Sequence, residues 1–247
     1  MKVLGIDVGG SGIKGAIVDT RKGKLVSERF RIKTPEPATP KAVAKVIASV
    51  VRHFQWKGPI GCGMPGPIKQ GTVLTMSNLD ASWVGARADE AFGKACGRKV
   101  TVVNDADAAG LAEMKFGAGR GERGVVVIVT LGTGIGSALF VDGRLLPNSE
   151  LGQIEVRGKR AELRASARVR KEKNMTWLKW SKALNEYFKA LEQIVWPDLI
   201  IIGGGVSRKA NKFLPHLELR AKVVPARLHN EAGIVGAALS ARSTQFS

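Results

Sequence analysis

A candidate general base sits behind an amide. Asp105 follows Asn104 at the end of the apolar run Val100-Thr101-Val102-Val103, so its carboxylate emerges at a strand tip. Open α/β sheets gather their sites at such tips. A carboxylate there can take the proton of a substrate hydroxyl while the neighbouring amide orients the substrate. The same residues read equally well as an Asx cap at Asp105 on a helix starting at Ala106, with Asp107 as the rival cap. Asp7 ends the first apolar run, where it could hold a metal through water or bond the turn beside it. His53, His216 and His229 have no mutual spacing that suggests a metal site or a triad.

A second kind of chemistry lies in glycine loops. Gly10-Ser11-Gly12-Ile13-Lys14-Gly15 matches the G-x-G-x-x-G spacing, but strand character follows it and the next helix arrives only after Pro40. The dinucleotide reading needs a helix directly behind the loop, and a Walker loop needs a G-K-[ST] order that is absent. What remains is strand, glycine turn with a hydroxyl and a lysine, strand. Glycines let backbone N–H groups crowd an anion, and Lys14 adds a point charge. Leu131-Gly132-Thr133-Gly134-Ile135-Gly136 repeats the arrangement. Gly203-Gly204-Gly205 ends a third strand before an expected helix at Ser207. Each loop alone also reads as a plain hairpin or turn; three at strand ends, one in the first half and two in the second, suggest an anion-binding cleft.

These residues need a particular run of elements to hold them. Apolar β-branched runs alternate with helical patterns, which argues α/β. Strands are expected over 3–7, 13–18, 25–32, 60–64, 100–103, 125–131, 137–141, 144–146 and 199–202. Thr39-Pro40 supplies a cap and a first-turn proline for a helix carrying Val43, Val46, Ile47, Val50, Val51 and Phe54, with His53 late in it. Further helices are expected near 87–96, over 106–116 and over 232–241, and Asp142-Gly143 signals a hairpin. Trp177, Trp180, Leu184, Tyr187, Phe188, Leu191, Ile194 and Val195 form a stripe stopped by Pro197 that reads as core. Two α/β units of similar plan follow, residues 1–105 with 232–247 and residues 106–231.

Composition is globular, with 44% hydrophobic and 24% charged residues in 247. No apolar run reaches the roughly 20 residues of a membrane span. Asp7 and its flanking glycines interrupt any signal-peptide core, so a cytoplasmic protein is expected. Cys62 and Cys96 are too few for a disulfide scaffold or a cysteine-built zinc site and read as small buried hydrophobes. Lys plus Arg number 39 against 21 Asp plus Glu, a net +18 that favours polyanions or, equally, a solubilising surface.

Taken in order, Gly5-Ile6-Asp7-Val8-Gly9-Gly10-Ser11-Gly12-Ile13-Lys14-Gly15, Asn104-Asp105-Ala106, the loop from Leu131 to Gly136, and Gly203-Gly204-Gly205 resemble the ROK sugar kinases. These belong to the actin/hexokinase-like (ribonuclease H-like) superfamily. Thr34-Pro35 with Pro37-Ala38-Thr39-Pro40, and Glu162-Leu163-Arg164-Ala165-Ser166-Ala167-Arg168-Val169-Arg170, resemble the polyphosphate-using glucokinases within that family. The resemblance implies a two-lobed α/β fold with sugar and donor meeting between the lobes. It implies phosphorylation of the 6-hydroxyl of glucose, mannose being a further candidate, with Asp105 as base. Gly66, Asn78, Asn104, Asp105, Glu150, Gln153 and Glu162 would hold the sugar. Gly9, Gly10, Ser11, Gly12, Lys14, Gly132, Thr133 and Gly134 would hold phosphates, and Gly204 and Gly205 the adenosine side. Polyphosphate, with ATP as a second donor, and Mg2+ at Asp7 complete the implied set, in a homodimer such as these families commonly form.

Two features depart from or sharpen that likeness. The family's sugar motif is Glu-x-Gly-His; here it reads Glu150-Leu151-Gly152-Gln153. Glutamine keeps a donor and an acceptor but cannot become a cation. In zinc-bearing relatives that histidine ligates metal beside a cysteine cluster ending at the glutamate matched by Glu162; this chain lacks both, which argues against zinc. Between Arg157 and Lys173, Arg157, Lys159, Arg160, Arg164, Arg168, Arg170, Lys171 and Lys173 face only Glu162 and Glu172. Drawn as one helix, Arg160, Arg164, Arg168 and Lys171 share a face and Glu162 lies opposite, which gives a polyanion track behind a sugar contact. Lys69, Arg120, Arg123 and Arg208 are its candidate extensions. The competing readings are an ATP-only glucokinase or another hexose kinase, and a non-catalytic ROK-type regulator. Such regulators carry an N-terminal DNA-binding segment, for which a first strand at Val3 leaves no room, and no nucleic-acid or membrane partner is expected.

Overall fold

The computed structural model describes residues 1–242, so the end of the expected C-terminal segment, 243–247, lies outside the described residues. The chain divides into two compact units, one made of Met1–Ala112 and the chain from Glu231 onward, the other of Glu113–Asn230.

In the first unit, β1 (Lys2–Gly9) turns through Gly10 and Ser11 into antiparallel β2 (Gly12–Asp19). Two short strands, β3 (Lys24–Leu25) and β4 (Phe30–Ile32), both pair with β2. The single strand expected over 25–32 is therefore broken: residues 26–29 leave the ladder, and the Ser27 hydroxyl accepts the Ile17 N–H there. Helix α1 (Pro40–His53) starts where Thr39 accepts the Ala42 N–H, and it buries Val43, Ile47, Val50 and Val51. Then come β5 (Ile60–Met64), the small hairpin β6 (Ile68–Lys69) and β7 (Thr72–Val73), α2 (Ala88–Cys96), β8 (Val100–Asn104) and α3 (Asp105–Phe116), which runs on past Ala112 into the second unit. Sheet order is β3-β2-β1-β5-β8, with β1, β5 and β8 parallel. The final helix of this unit lies against β1 and β5 at backbone distance: a Cβ at Gly61 would stand 1.7 Å from the Ala237 carbonyl oxygen. Only glycine fits there.

The second unit repeats the plan. Strands β9 (Val125–Leu131), β10 (Ile135–Val141) and β11 (Arg144–Leu146) form an antiparallel meander. After the hairpin β12 (Glu155–Val156) and β13 (Lys159–Arg160) come α4 (Glu162–Ala165), α5 (Ala167–Glu172) and α6 (Trp177–Val195). Strands β14 (Leu199–Gly203) and β15 (Lys222–Pro225) then join β9 in parallel, and α7 (Ala232–Ser240) returns to the first unit. The order β11-β10-β9-β14-β15 matches β3-β2-β1-β5-β8 in direction as well as sequence. Trp180, Leu184, Tyr187, Phe188 and Leu191 of α6 are buried as expected, whereas Ile194 at its end is 64% exposed.

One helical expectation and one helical condition fail. Residues 157–173 do not form one helix: Arg160 lies on β13, and Ser166 leaves helical geometry to cap α5 through the Val169 N–H. Behind Gly203 the chain forms a 3-10 segment, Gly205–Lys212, interrupted at Lys209, rather than an α-helix at Ser207. Cys62 is buried and its thiol is pushed up by that burial, while Cys96 is only half-buried. Among the described residues no helix is long and apolar enough to cross a membrane.

Candidate functional site

The parallel strands of the first unit end side by side. Register sets Asp7 beside Gly63 and Met64 beside Asn104, so the β1, β5 and β8 tips bring together Asp7, the Pro65-Gly66 turn, Asn104 and Asp105. Asn104 decides which residue caps α3. Its Oδ1 accepts the Ala106 N–H at 2.8 Å and the Asp107 N–H at 3.0 Å, and its Nδ2 donates to the Gly66 carbonyl at 3.0 Å. Neither Asp105 nor Asp107 is the cap: the preceding amide has that position, which spares the Asp105 carboxylate the task. Gly66 answers the turn with φ of +89°, and a Cβ there would lie 2.4 Å from the Thr75 carbonyl oxygen.

Asp105 is half-buried at the first position of α3. Burial pushes its carboxyl up, the nearby Asp7 charge adds to the push, and the Ala106 and Asp105 N–H groups pull it back, leaving it at about 6. Such a group is mostly ionised at neutral pH and binds a proton more readily than an ordinary aspartate, the compromise that suits a general base. Asp7 itself pairs with the Lys14 ammonium at 3.3 Å and packs on Gly233 at the start of α7.

The turn at Gly10 and Ser11 is braced from three directions. The Arg31 guanidinium donates to the Ser11 carbonyl at 2.9 Å and covers Gly12, where a Cβ would come within 2.5 Å of its Nε. Thr34 donates to the Gly9 carbonyl. The Asn78 carbonyl oxygen lies 3.1 Å from where a Gly10 Cβ would stand, while the Asn78 side chain is exposed.

In the second unit the turn of residues 132–134 is tied to α4 and α5. The Arg168 N–H donates to the Gly132 carbonyl at 3.0 Å, and a Cβ on Gly134 would meet Glu162 Oε2 at 2.6 Å. Nothing stands within 4 Å above Gly132, so an anion can approach that backbone. Glu162 opens α4 and accepts from Gln153 Nε2 at 3.3 Å, while Arg160 Nη1 reaches Gln153 Oε1 at 3.0 Å and Glu162 Oε1 at 3.5 Å. Arg160 is thus bound to Glu162 rather than set opposite it. Glu150 precedes the short 3-10 turn Leu151–Gln153, which Ser137 fixes by donating to the Ser149 carbonyl and accepting the Leu151 N–H. Gly204 turns at φ of +81° under the Leu131 carbonyl oxygen, which a Cβ would approach to 2.4 Å, and Gly205 stands open. Ser207 donates to the Gly204 carbonyl.

The candidate residues therefore fall into two sets. Asp7, Gly9, Gly10, Ser11, Gly12, Lys14, Gly66, Asn78, Asn104 and Asp105 belong to the first unit; Gly132, Thr133, Gly134, Glu150, Gln153, Glu162, Gly204 and Gly205 belong to the second. Among the described residues no group of three or more His, Cys, Asp and Glu side chains could hold a metal by itself. A magnesium ion keeps several waters and needs only one or two carboxylates beside substrate phosphates, a donor set that Asp7 fits. Reading the sequence missed Arg31 and Thr34 as braces of the first turn and misplaced Arg160, because contacts between strands leave no local pattern. The Thr34-Pro35 pair was the one available signal.

Comparison with known proteins gives a consistent result. The profile described as "ROK family" matches residues 3–154. Polyphosphate glucokinase of Mycobacterium tuberculosis is 53% identical over 238 residues, covering 96% of this chain and 90% of that protein. The crystal structure of inorganic polyphosphate/ATP-glucomannokinase from Arthrobacter sp. strain KM superposes with a TM-score of 0.94 at 48% identity, covering 98% of both chains. A ROK family glucokinase from Streptomyces griseus, in complex with glucose and AMPPNP, gives a TM-score of 0.85 at 25% identity, covering 98% of this chain and 99% of the other.

Proposed function

The chain belongs to the ROK family, with the actin/hexokinase-like α/β fold of its sugar kinases, and from that premise we propose that it transfers a phosphoryl group from inorganic polyphosphate to the 6-hydroxyl of glucose. The polyphosphate glucokinases and the glucomannokinase that it resembles across nearly its whole length support this reading. ATP is the second donor, in keeping with the name of the Arthrobacter enzyme and the AMPPNP bound to the Streptomyces one. Mannose is a second acceptor on the same footing.

Asp105 takes the proton of the 6-hydroxyl as that oxygen bonds to the terminal phosphorus, and the bond to the bridging oxygen breaks to release a polyphosphate shorter by one unit, or ADP. Asn104 holds α3 so that the carboxylate faces its task. Backbone N–H groups of residues 10–12 and 132–134, with Lys14, stabilise charge on the equatorial oxygens; positioning and electrostatics carry most of the rate in such reactions. Asp7 is the residue that would hold Mg2+ beside the donor phosphates, where the ion would supply further neutralisation of that charge. Gly66, Asn78, Asn104, Glu150, Gln153 and Glu162 bind the sugar, and Gly204 and Gly205 border the adenosine of ATP. A cytoplasmic setting and a homodimer complete the reading.

The observation that carries the mechanism is the Asp105 carboxyl, lifted to about 6 and relieved of capping by Asn104. The test is glucose 6-phosphate formation with polyphosphate, with ATP and without donor, on one preparation. Product with polyphosphate is expected; product with ATP alone replaces this reading by an ATP-only glucokinase, and no product with any donor or hexose replaces it by a binding protein.

A further inference from the structure

Glu113 is a buried carboxylate that the reaction itself does not use. It sits in the last turn of α3, the end of a helix that disfavours negative charge. Three backbone N–H groups meet it there. Oε2 accepts from Ala118 at 2.8 Å and from Arg227 at 3.1 Å, and Oε1 accepts from Leu228 at 2.7 Å. Gly117 leaves it room, since a Cβ at that position would run into Oε2. Arg227 and Leu228 belong to the stretch that follows β15. That stretch is tied at its start by the Ala226 N–H to the Ile202 carbonyl at 2.9 Å, and it reaches His229, held at φ of +47°. His229 Nδ1 stands 3.4 Å from Ser207 Oγ, and Ser207 donates to the Gly204 carbonyl at 2.8 Å. A hydroxyl has one hydrogen to give, so the ring nitrogen is the donor to Ser207. Glu113, residues 227–229, Ser207 and Gly204 all lie in the second unit.

We infer that Glu113 is a positioning residue for ATP as donor: by holding residues 227 and 228 it seats His229 against Ser207 and, through Ser207, sets the Gly204 turn. The inference rests on the reading above that Gly204 and Gly205 border the adenosine of ATP. A carboxylate is needed because all three partners donate. With glutamine, the side-chain NH2 would face either the Leu228 N–H or the pair from Ala118 and Arg227, donor against donor. Polyphosphate has no adenosine, so its hold on residues 10–12 and 132–134 does not pass through this path. Glu113 thereby acts on one donor and not on the other.

The test compares Glu113→Gln, Ser207→Ala and the double variant by kcat and by KM for ATP, polyphosphate and glucose. Each single variant should raise the KM for ATP roughly three- to tenfold, the worth of one hydrogen bond, while kcat and the other KM values stay at the parent's. The double variant should rise no further than the larger single effect, because the two residues act in series. An equal rise for both donors, no rise for ATP, or a double variant at the product of the single effects overturns the inference. If Glu113→Gln does not fold, Glu113→Asp takes its place in the same cycle with the same readings, since it keeps two accepting oxygens and withdraws them by one carbon. A position that tolerates neither variant overturns the donor-specific role in favour of a structural one. A parent that makes no product from ATP removes the ATP reading and this inference with it, an outcome read on the parent alone.

Discussion

Replacing Asp105 with Asn should make the protein more stable and nearly inactive, and both effects have one cause. Burial first, and then Asp7, lift this carboxyl from 3.8 to about 6. In the unfolded chain it ionises near its ordinary value, whereas the folded chain keeps the proton until about pH 6. Folding is therefore penalised once pH exceeds both values. A lift of about two pH units at ~1.36 kcal/mol each amounts to roughly 3 kcal/mol, an upper value because the side chain retains some contact with water. The amide also accepts less strongly from the Ala106 and Asp105 N–H groups, which returns about 1 kcal/mol and leaves a net gain of about 2. In a chain of this length that is a rise in Tm of roughly 4–8 °C. The sign follows from the two ionisations: below about pH 4 both states are protonated and the variant gains nothing, the gain grows between about pH 4 and 6, and it is level above. Calorimetric melts of parent and variant from about pH 4 to 8, with turnover on the same samples, check both halves. Turnover of the variant should fall by about 10²–10⁴, and kcat/KM of the parent should decline as pH drops through about 6. A variant whose advantage at high pH equals that at low pH refutes the desolvated carboxylate, and turnover close to the parent's refutes its role as base.

Asn104→Ala removes the α3 cap and the tie to Gly66; a loss of about 1–3 kcal/mol in urea unfolding is expected, with kcat falling more than the glucose KM rises. Arg160→Ala frees the Gln153 amide and the Glu162 carboxylate, so the glucose KM should rise several-fold while the polyphosphate KM stays put; the reverse pattern would return Arg160 to the donor. Arg164→Gln strips Glu186 of one guanidinium and the Val156 carbonyl of a donor, and should cost about 1–3 kcal/mol in thermal unfolding without changing the KM for any substrate.

What the sequence disclosed and what it hid divide along a physical line. Strands such as 60–64 and 125–131, and the helix begun by Thr39-Pro40, were legible because burial on both faces or at helical spacing writes itself into neighbouring residues. The glycine turns were legible for the same local reason. The basic segment 157–173 could be drawn as one helix because its composition tolerates helix throughout, and that condition is not met. The break comes from Ser166 capping α5 and from the Glu155 to Arg160 ladder, a contact between strands that no spacing along the chain announces. The Asx ambiguity at Asn104 and Asp105 was likewise undecidable from spacing. It is resolved by Gly66, 38 residues away, whose carbonyl takes the Asn104 amide and so sets which way that side chain points.

The excess of positive charge needs the same local treatment. A net of +18 attracts a polyanion only within roughly 10 Å at ordinary salt, since the field is screened beyond that distance, and affinity is decided by what remains after each cation has met its neighbours. Arg157 and Arg164 share Glu186, and Arg160 is held by Glu162 and Gln153, so three of the cations that suggested a track are parts of the unit's own polar framework. On α5 Arg168 pairs with Glu172, while Arg170 lies over the Trp177 ring, and the Arg168 N–H holds the Gly132 carbonyl. The framework arginines divide the work: Arg160 fixes Gln153 and Glu162, while Arg157 and Arg164 hold Glu186.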